Sequence, residues 1–115
     1  MDIIEIKNLE IFANHGVFPE ENILGQKFVI SATLYTDTRK AGLTDELTAS
    51  IHYGEVSHMI TKFTKEHTYK LLETLAENLC HMLLQELPLL KMIILRVEKP
   101  WAPVGLPLET VAVEI

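Results

Sequence analysis

The spacing of the hydrophobic residues changes twice along this chain, and that change constrains the fold more than any other feature. Over residues 26–37 apolar and polar residues alternate, which is typical of a half-buried β-strand. Over residues 56–63 and roughly 69–86 apolar residues recur every three or four positions, which predicts two amphipathic helices. Alternation returns over residues 91–99 and 109–115, so two further strands are expected after the helices.

The amino-terminal segment 2–14 also alternates, but its apolar residues change phase near Lys7–Asn8. Such a change indicates a β-bulge or a sharp twist, because one extra residue moves the following side chains to the other face. Pro19 and Gly25 then bracket what reads as a polar loop. Since only this loop separates them, the first two strands are expected to form a long antiparallel hairpin.

The predicted element order is ββααββ in a single domain over residues 1–115, with an irregular segment over residues 38–53. Thr68 is the expected N-cap of the second helix. This order predicts an α+β fold, in which an antiparallel four-stranded sheet carries two helices on one face. Its apolar edge strands would be exposed in a monomer. We therefore expect a homo-oligomer, in which sheets from several chains join into a barrel without edges.

Composition and charge exclude several classes of protein. The formal net charge of −6 argues against nucleic acid as a partner, because such a surface requires a basic patch. The single cysteine, Cys80, excludes an internal disulfide and is interpreted as a core residue. Residues 1–8 have neither a basic region nor a long apolar run. We therefore expect no signal peptide, no membrane span and a cytoplasmic location.

Three polar residues occupy positions that suit chemistry, although each has an ordinary alternative. Glu73 lies near the start of the second helix, where the helix dipole stabilises a carboxylate, but it could be a solvated surface residue. Lys99 ends the third strand in phase with its apolar residues, so its ammonium either extends to water or stays partly desolvated. Tyr53 precedes the first helix and could equally be a half-buried tyrosine with a local hydrogen bond.

His15 and Glu21 flank the first loop, and each on its own is more typical of a surface than of a site. His15 precedes Gly16 and would suit a turn residue whose ring bonds to the backbone. No common metal or nucleotide motif is present, neither HxH, HExxH, GxGxxG, a phosphate-binding loop nor GxSxG. An ordinary histidine zinc site is therefore not expected from the five histidines, which are His15, His52, His58, His67 and His81.

Several short motifs, taken in order, resemble those of the dihydroneopterin aldolase family. They are His15-Gly16-Val17, Glu21-Asn22, Gly25-Gln26-Lys27-Phe28, Asp45, His52-Tyr53-Gly54-Glu55-Val56, Leu71-Leu72-Glu73-Thr74-Leu75-Ala76 and Lys99-Pro100. Each motif alone is weak, but their order and spacing across essentially the whole chain make the resemblance specific. It implies the tunnelling fold (T-fold) and a homo-octamer of two stacked tetrameric rings, with each site between two subunits.

The resemblance also implies a reaction in folate biosynthesis. 7,8-Dihydroneopterin is split by retro-aldol cleavage into 6-hydroxymethyl-7,8-dihydropterin and glycolaldehyde, and many relatives also epimerise the side chain to dihydromonapterin. No metal or cofactor is implied. The carbon–nitrogen double bond of the substrate lies beside the breaking bond and serves as the electron sink that other aldolases obtain from a Schiff base or a metal.

The same resemblance implies roles for individual residues. Lys99 would exchange protons through an ordered water, and it would have to be partly neutral to act as a base. Tyr53 would pack on the ring and pass a proton, and Glu21 would lie near the reacting side chain. Gln26 would support the site or the hairpin. The pterin would be held by the Glu73 carboxylate, with help from the backbone of Leu72 and Ile51.

Three alternatives remain open. A dihydroneopterin triphosphate epimerase of the same fold would need basic residues for the phosphates, whereas the only arginines here are Arg39 and Arg96. A non-catalytic pterin-binding subunit would retain Glu73 but would have no use for Lys99 and Tyr53 together. A 6-pyruvoyltetrahydropterin synthase-like enzyme would require a zinc-binding histidine cluster, which the histidine spacing does not provide.

Overall fold

A computed structural model describes residues 1–115 and contains four strands, four α-helices and one turn of 3-10 helix. The elements, in chain order, are β1 (Asp2–Ala13), α1 (Pro19–Leu24), β2 (Gln26–Thr36), α2 (Arg39–Thr44), the 3-10 turn (Leu47–Ala49), α3 (Tyr53–Glu66), α4 (Leu72–Glu86), β3 (Met92–Lys99) and β4 (Val111–Glu114). The four strands form one antiparallel sheet in the order β1-β2-β3-β4. The predicted α+β fold and its two main helices are therefore confirmed.

The hairpin of β1 and β2 has the predicted bulge. The register between the two strands shifts between Ile6 and Leu9, and Asn8 adopts a left-handed φ of 58° there. The backbone N–H of Asn8 donates to Ser31 Oγ on β2 at 2.9 Å. The bulge moves Leu9 and Ile11 onto the phase that faces the helices, as the change in apolar pattern predicts.

The core lies between one face of the sheet and the helices α3 and α4. Alternate residues of β2 are buried, and Phe28, Ile30 and Leu34 have no exposed surface. The other contributors to this core are Ile11, Ala13, Ala32, Ile51, Val56, Ile60, Leu75, Ala76, Leu79, Leu83, Leu90, Leu95 and Val97. Cys80 on α4 packs against this core but is only partly buried, and burial raises the pKa of its thiol to about 11.

Three of the sequence predictions are wrong in detail. The expected polar loop between Pro19 and Gly25 contains helix α1, and the expected irregular segment 38–53 contains α2 and the 3-10 turn. These short helices have no buried residues, so hydrophobic spacing gives no signal for them. The second helix begins at Leu72, with Leu71 rather than Thr68 at the N-cap position. Hydrogen bonds between the backbone of Tyr69 and the residues His15 and Gly16 keep the residues before Leu72 out of this helix.

Candidate active site

Lys99, Glu21 and Gln26, called here the Lys99 cluster, meet at one end of the sheet. Lys99 is the last residue of β3 and is only 9% exposed, because its side chain lies on the phase that faces the core. Its Nζ atom forms an ion pair with Glu21 Oε2. Of the two outcomes expected for this lysine, the structure therefore shows the desolvated one, and the ammonium does not extend into water. A buried lysine requires a partner for its charge, and Glu21 provides one.

Glu21 is held in place by three neighbours. Its carboxylate accepts hydrogen bonds from the backbone N–H of Phe18 at 3.3 Å and from Gln26 Nε2 at 2.9 Å, besides pairing with Lys99. Burial alone would raise the pKa of Glu21. The hydrogen bonds and positive charge around it outweigh burial, so its pKa lies below the ordinary value of 4.5. Glu21 is therefore a fixed negative charge at neutral pH.

Gln26 has a buried oxygen that nothing in the chain satisfies. The residue is 7% exposed, and its Oε1 atom has no hydrogen-bond partner. Leaving a buried acceptor unpaired costs about 1–3 kcal/mol, so such an atom favours a bound water or ligand that donates a hydrogen bond. The Lys99 cluster thus combines a cation, an anion and a free acceptor at one place.

Gly16 is part of this site, although in the sequence it stands out only within the His15-Gly16-Val17 motif and as a residue that precedes the first loop. A Cβ atom at Gly16 would overlap the carboxylate of Glu21. The carbonyl of Gly16 accepts a hydrogen bond from Asn22 Nδ2 at 3.0 Å, which ties the loop to α1. Only glycine leaves room for the Glu21 carboxylate in its present position.

The start of α4 lies at the same end of the sheet. Glu73 is exposed in the first turn of α4, next to Leu72, and these two residues are called here the anchor segment. The backbone carbonyl of Tyr69, three residues before the helix, accepts a hydrogen bond from the N–H of Gly16 at 2.9 Å. The anchor segment and the Lys99 cluster are therefore connected through the His15-Gly16 loop.

Tyr53 and Ile51 lie at the opposite end of the helix layer. Tyr53 begins α3 and is 67% exposed, whereas Thr64, eleven residues further along α3, contacts His15 near the Lys99 cluster. Eleven residues of helix span about 16 Å. Ile51 is buried beside a cavity of about 520 Å³ that His52, Pro88 and Leu89 also line. One chain therefore does not bring Tyr53 and Ile51 to Lys99 and Glu73.

The structure has neither a cluster of metal ligands nor a membrane-spanning helix. No group of three or more histidine, cysteine, aspartate or glutamate side chains is arranged to hold a metal ion. No helix combines the length and the apolar character needed to cross a membrane.

The fold and the clustered polar residues at the sheet end define an α+β protein of the tunnelling-fold class. The urate oxidase of Bacillus sp. TB-90 superposes with a TM-score of 0.72 at 10% identity, covering 98% of this chain and 42% of that one, and shows the fold alone. The dihydroneopterin aldolase of Escherichia coli, solved with neopterin, superposes with a TM-score of 0.91 at 25% identity, covering 100% and 97% of the two chains.

Sequence comparison narrows the class to one family. The family model for dihydroneopterin aldolase (FolB) matches residues 4–115. The dihydroneopterin aldolase of Bacillus subtilis is 36% identical over 115 residues, which cover all of this chain and 96% of that protein. The corresponding protein of Methylorubrum extorquens is 35% identical over 114 residues, which cover 99% and 88%. The chain belongs to the dihydroneopterin aldolase family, which is a family of lyases.

Proposed function

We propose that this chain cleaves 7,8-dihydroneopterin into 6-hydroxymethyl-7,8-dihydropterin and glycolaldehyde. The buried Lys99–Glu21 pair is the observation that carries the proposal, because a desolvated lysine held by a carboxylate at a strand end is suited to proton transfer. Membership of the family supplies the substrate class. The solved relative from Escherichia coli holds neopterin, which has the same ring and side-chain skeleton.

The reaction needs a base, an electron sink and an acid. The base removes the proton from the side-chain hydroxyl next to the breaking bond, and the carbonyl of glycolaldehyde forms as the carbon–carbon bond breaks. The two electrons of that bond pass into the ring carbon–nitrogen double bond of the substrate. The carbon left behind then takes up a proton. Acid–base help of this kind contributes roughly 100- to 10,000-fold to the rate.

In the proposed mechanism Lys99 exchanges these protons through an ordered water. The ammonium form of Lys99, which is the form that pairs with Glu21, is a proton donor and can protonate the carbon. A deprotonated Lys99 is the corresponding base. The unpaired Gln26 Oε1 lies in the same cluster and is available to accept a hydrogen bond from that water or from a substrate hydroxyl.

The anchor segment is proposed to hold the pterin ring. The Glu73 carboxylate is exposed at the first turn of α4 and can accept two parallel hydrogen bonds from the amino group and adjacent ring nitrogen of a pterin. The backbone of Leu72 is next to it. The exposed ring of Tyr53 offers a flat surface for stacking on the pterin, and its hydroxyl can pass a proton.

We further propose that each site is shared by two subunits. Within one chain, Tyr53 and Ile51 lie at the opposite end of the helix layer from Lys99 and Glu73, so a second chain must supply the missing half. The exposed edge strands β1 and β4 and exposed apolar residues such as Ile23, Leu24 and Leu106 support association. A homo-octamer and epimerisation to dihydromonapterin stay predictions from the family resemblance, and a cytoplasmic location stays a prediction from the sequence.

The first test is incubation of the purified chain with 7,8-dihydroneopterin, with and without a chelator, followed by separation of the products. We expect hydroxymethyl-dihydropterin and glycolaldehyde in both tubes. Lys99→Met should lower kcat at least about 100-fold. Lys62→Met, which removes an exposed lysine that pairs only with Glu66 on the surface, should match the unsubstituted chain. No product in either tube would refute the proposed function, and product only without chelator would refute metal independence.

A further inference from the structure

We propose that His15 is a positioning residue that fixes the anchor segment relative to the Lys99 cluster within one subunit. This inference rests on the proposed function, since it concerns the same site. His15 touches neither Glu73 nor Lys99 through a hydrogen bond or ion pair, and its effect would pass through the backbone on each side of it.

The imidazole of His15 is buried and fully paired. It is 1% exposed, its Nε2 lies 2.8 Å from the carbonyl oxygen of Thr64, and its Nδ1 lies 3.0 Å from the backbone nitrogen of Tyr69. The Thr64 carbonyl can only accept and the Tyr69 N–H can only donate. The ring therefore donates from Nε2 and accepts at Nδ1, which specifies a single neutral tautomer.

Through its Nδ1 atom, His15 is bonded to the backbone just before the anchor segment. The N–H of Tyr69 is bonded to the imidazole, and the carbonyl of Tyr69 is bonded to the N–H of Gly16 at 2.9 Å. The rings of His15 and Tyr69 also stack with centroids 5.8 Å apart. Tyr69 is thus held by both of its peptide groups and by its ring, only three residues before Leu72. This attachment fixes where α4 begins and where Glu73 stands.

Through the next residue in the chain, Gly16, His15 is also connected to the Lys99 cluster. Gly16 follows directly in the chain, and the carboxylate of Glu21 packs against its Cα so closely that a methyl group could not fit. The rings of His15 and Phe28 on β2 form a T-shaped pair with centroids 5.3 Å apart. A shift of residues 15–16 would therefore move Glu21 and the Tyr69 backbone together, and the two parts of the site would lose their relative position.

The surroundings of His15 keep it in the required neutral form. Burial lowers the pKa of His15 below its ordinary value of 6.5, and the Thr64 carbonyl opposes this effect only in part. The charges of His67 and Lys99 lower the pKa further. A protonated ring could not accept from Tyr69, so the low pKa preserves the bond that leads to the anchor segment.

The test compares three variants at His15 with one control at Thr64. His15→Phe keeps the ring volume but removes both hydrogen bonds. His15→Asn can restore the acceptor near Nδ1, whereas His15→Gln can restore only the donor near Nε2. The control, Thr64→Val, removes a buried hydrogen bond from Thr64 Oγ1 to the carbonyl of Ile60. It keeps the Thr64 carbonyl that accepts from His15, and it leaves the backbone bonds of Tyr69 unchanged.

Kinetic constants for 7,8-dihydroneopterin are measured well below each melting temperature, together with the Kd of neopterin. Because small displacements of reacting groups cost up to about 100-fold, we expect kcat/KM of His15→Phe to fall at least about tenfold. His15→Asn should recover most of that loss and His15→Gln little of it. Thr64→Val should lower the melting temperature without changing kcat/KM.

Failure of the inference is distinguishable from failure of the proposed function. If the unsubstituted chain does not cleave the substrate, the proposed function fails, and the Kd of neopterin still reports on the anchor segment. If that chain is active and His15→Phe shows the same kcat/KM at a lower melting temperature, His15 is merely structural and the inference is overturned. If His15→Phe does not fold, equal kcat/KM values for His15→Asn and His15→Gln overturn it.

Discussion

Single residues decide how the Lys99 cluster works, and the smallest of them has the clearest consequence. Gly16 has no side chain, and the space that a side chain would occupy is filled by the carboxylate of Glu21. The same carboxylate binds Lys99 and Gln26. The fit between Gly16 and Glu21 therefore determines the position of a charged group in the proposed mechanism, and a change of one carbon atom would disturb it.

Gly16→Ala should impair the reaction as well as the stability of the fold. The new methyl group would displace the end of the Glu21 side chain, so the ion pair with Lys99 is lost, and the φ of 155° at this position is strained for any residue that has a Cβ atom. We expect kcat/KM to fall about 10- to 100-fold. Gly105→Ala is the matched control, because Gly105 also has a positive φ, of 79°, but nothing lies within 4 Å of the added atom. It should leave kinetics unchanged, and equal kinetics in the two variants would contradict the role assigned to Glu21.

The Lys99–Glu21 pair should also make stability depend on pH. The pKa of Glu21 is lower in the folded chain than its ordinary value of 4.5. Its contribution to stability is therefore complete above that ordinary value and is lost as the pH falls through the lower, folded-state pKa. Replacing the pair by neutral side chains of similar size, in the double variant Glu21→Gln/Lys99→Met, removes this linkage.

Urea unfolding at several pH values between 7 and 3 measures the effect. The unsubstituted chain should lose more unfolding free energy over this range than the double variant does, because only the former contains the paired carboxylate. Parallel curves for the two proteins would show that Glu21 titrates alike in the folded and unfolded states.

At the scale of secondary-structure elements, the predictions are correct where one face of an element is buried, because burial gives its apolar residues a regular spacing. β2 alternates because one face lies on the core, and the bulge at Asn8 is visible as a change of phase in β1. The short helices α1 and α2 bury no residue, so their sequences have no such period. Helix α1 does have a start signal in Pro19 followed by Glu20 and Glu21, which the interpretation as a polar loop overlooked.

The start of α4 shows why element boundaries are harder to predict than elements. Thr68 is a good N-cap residue by type, and local rules favour it. The backbone of Tyr69 is instead bonded to His15 and Gly16, which keeps residues 67–71 out of the helix. A contact between residues more than fifty positions apart thus overrides a local preference and places Glu73 in the first turn.

At the scale of the whole molecule, the elongated single chain keeps the proposed site residues in two separate groups. Its extents are 51 × 26 × 18 Å, with the Lys99 cluster at one end of the sheet and Tyr53 near the other end of the helix layer. If each site combines halves from two subunits, a chain lacking one half can be complemented by a chain lacking the other.

Mixed oligomers of Lys99→Met and Tyr53→Phe test this arrangement. Each variant alone should have little activity, because every one of its sites lacks a group that the proposed mechanism uses. After co-expression or joint refolding in equal amounts, roughly a quarter of the sites should contain both an intact Lys99 and an intact Tyr53, because each group is intact in half of the subunits. The mixture should therefore regain roughly a quarter of the unsubstituted activity. Activity no greater than the mean of the separate variants would show that each site belongs to one chain.

The sequence by itself determined the fold class, the two long helices, the bulged hairpin and the family resemblance that named Lys99, Glu21, Glu73 and Tyr53 as candidates. The fold class, the helices and the hairpin follow from local chemistry and from the spacing of buried residues, whereas the resemblance rests on the order of short motifs along the chain. The sequence also indicated that His15 bonds to backbone, which the structure confirms.

Only the tertiary structure decided which candidates meet. The pairing of Lys99 with Glu21, the unsatisfied oxygen of Gln26 and the contact between Gly16 and Glu21 join residues on different elements. The separation of Tyr53 from Lys99 likewise depends on the direction of α3 across the sheet. Such contacts are set by packing between distant segments. Hydrophobic spacing shows which face of an element is buried, but it does not show which other element packs against that face.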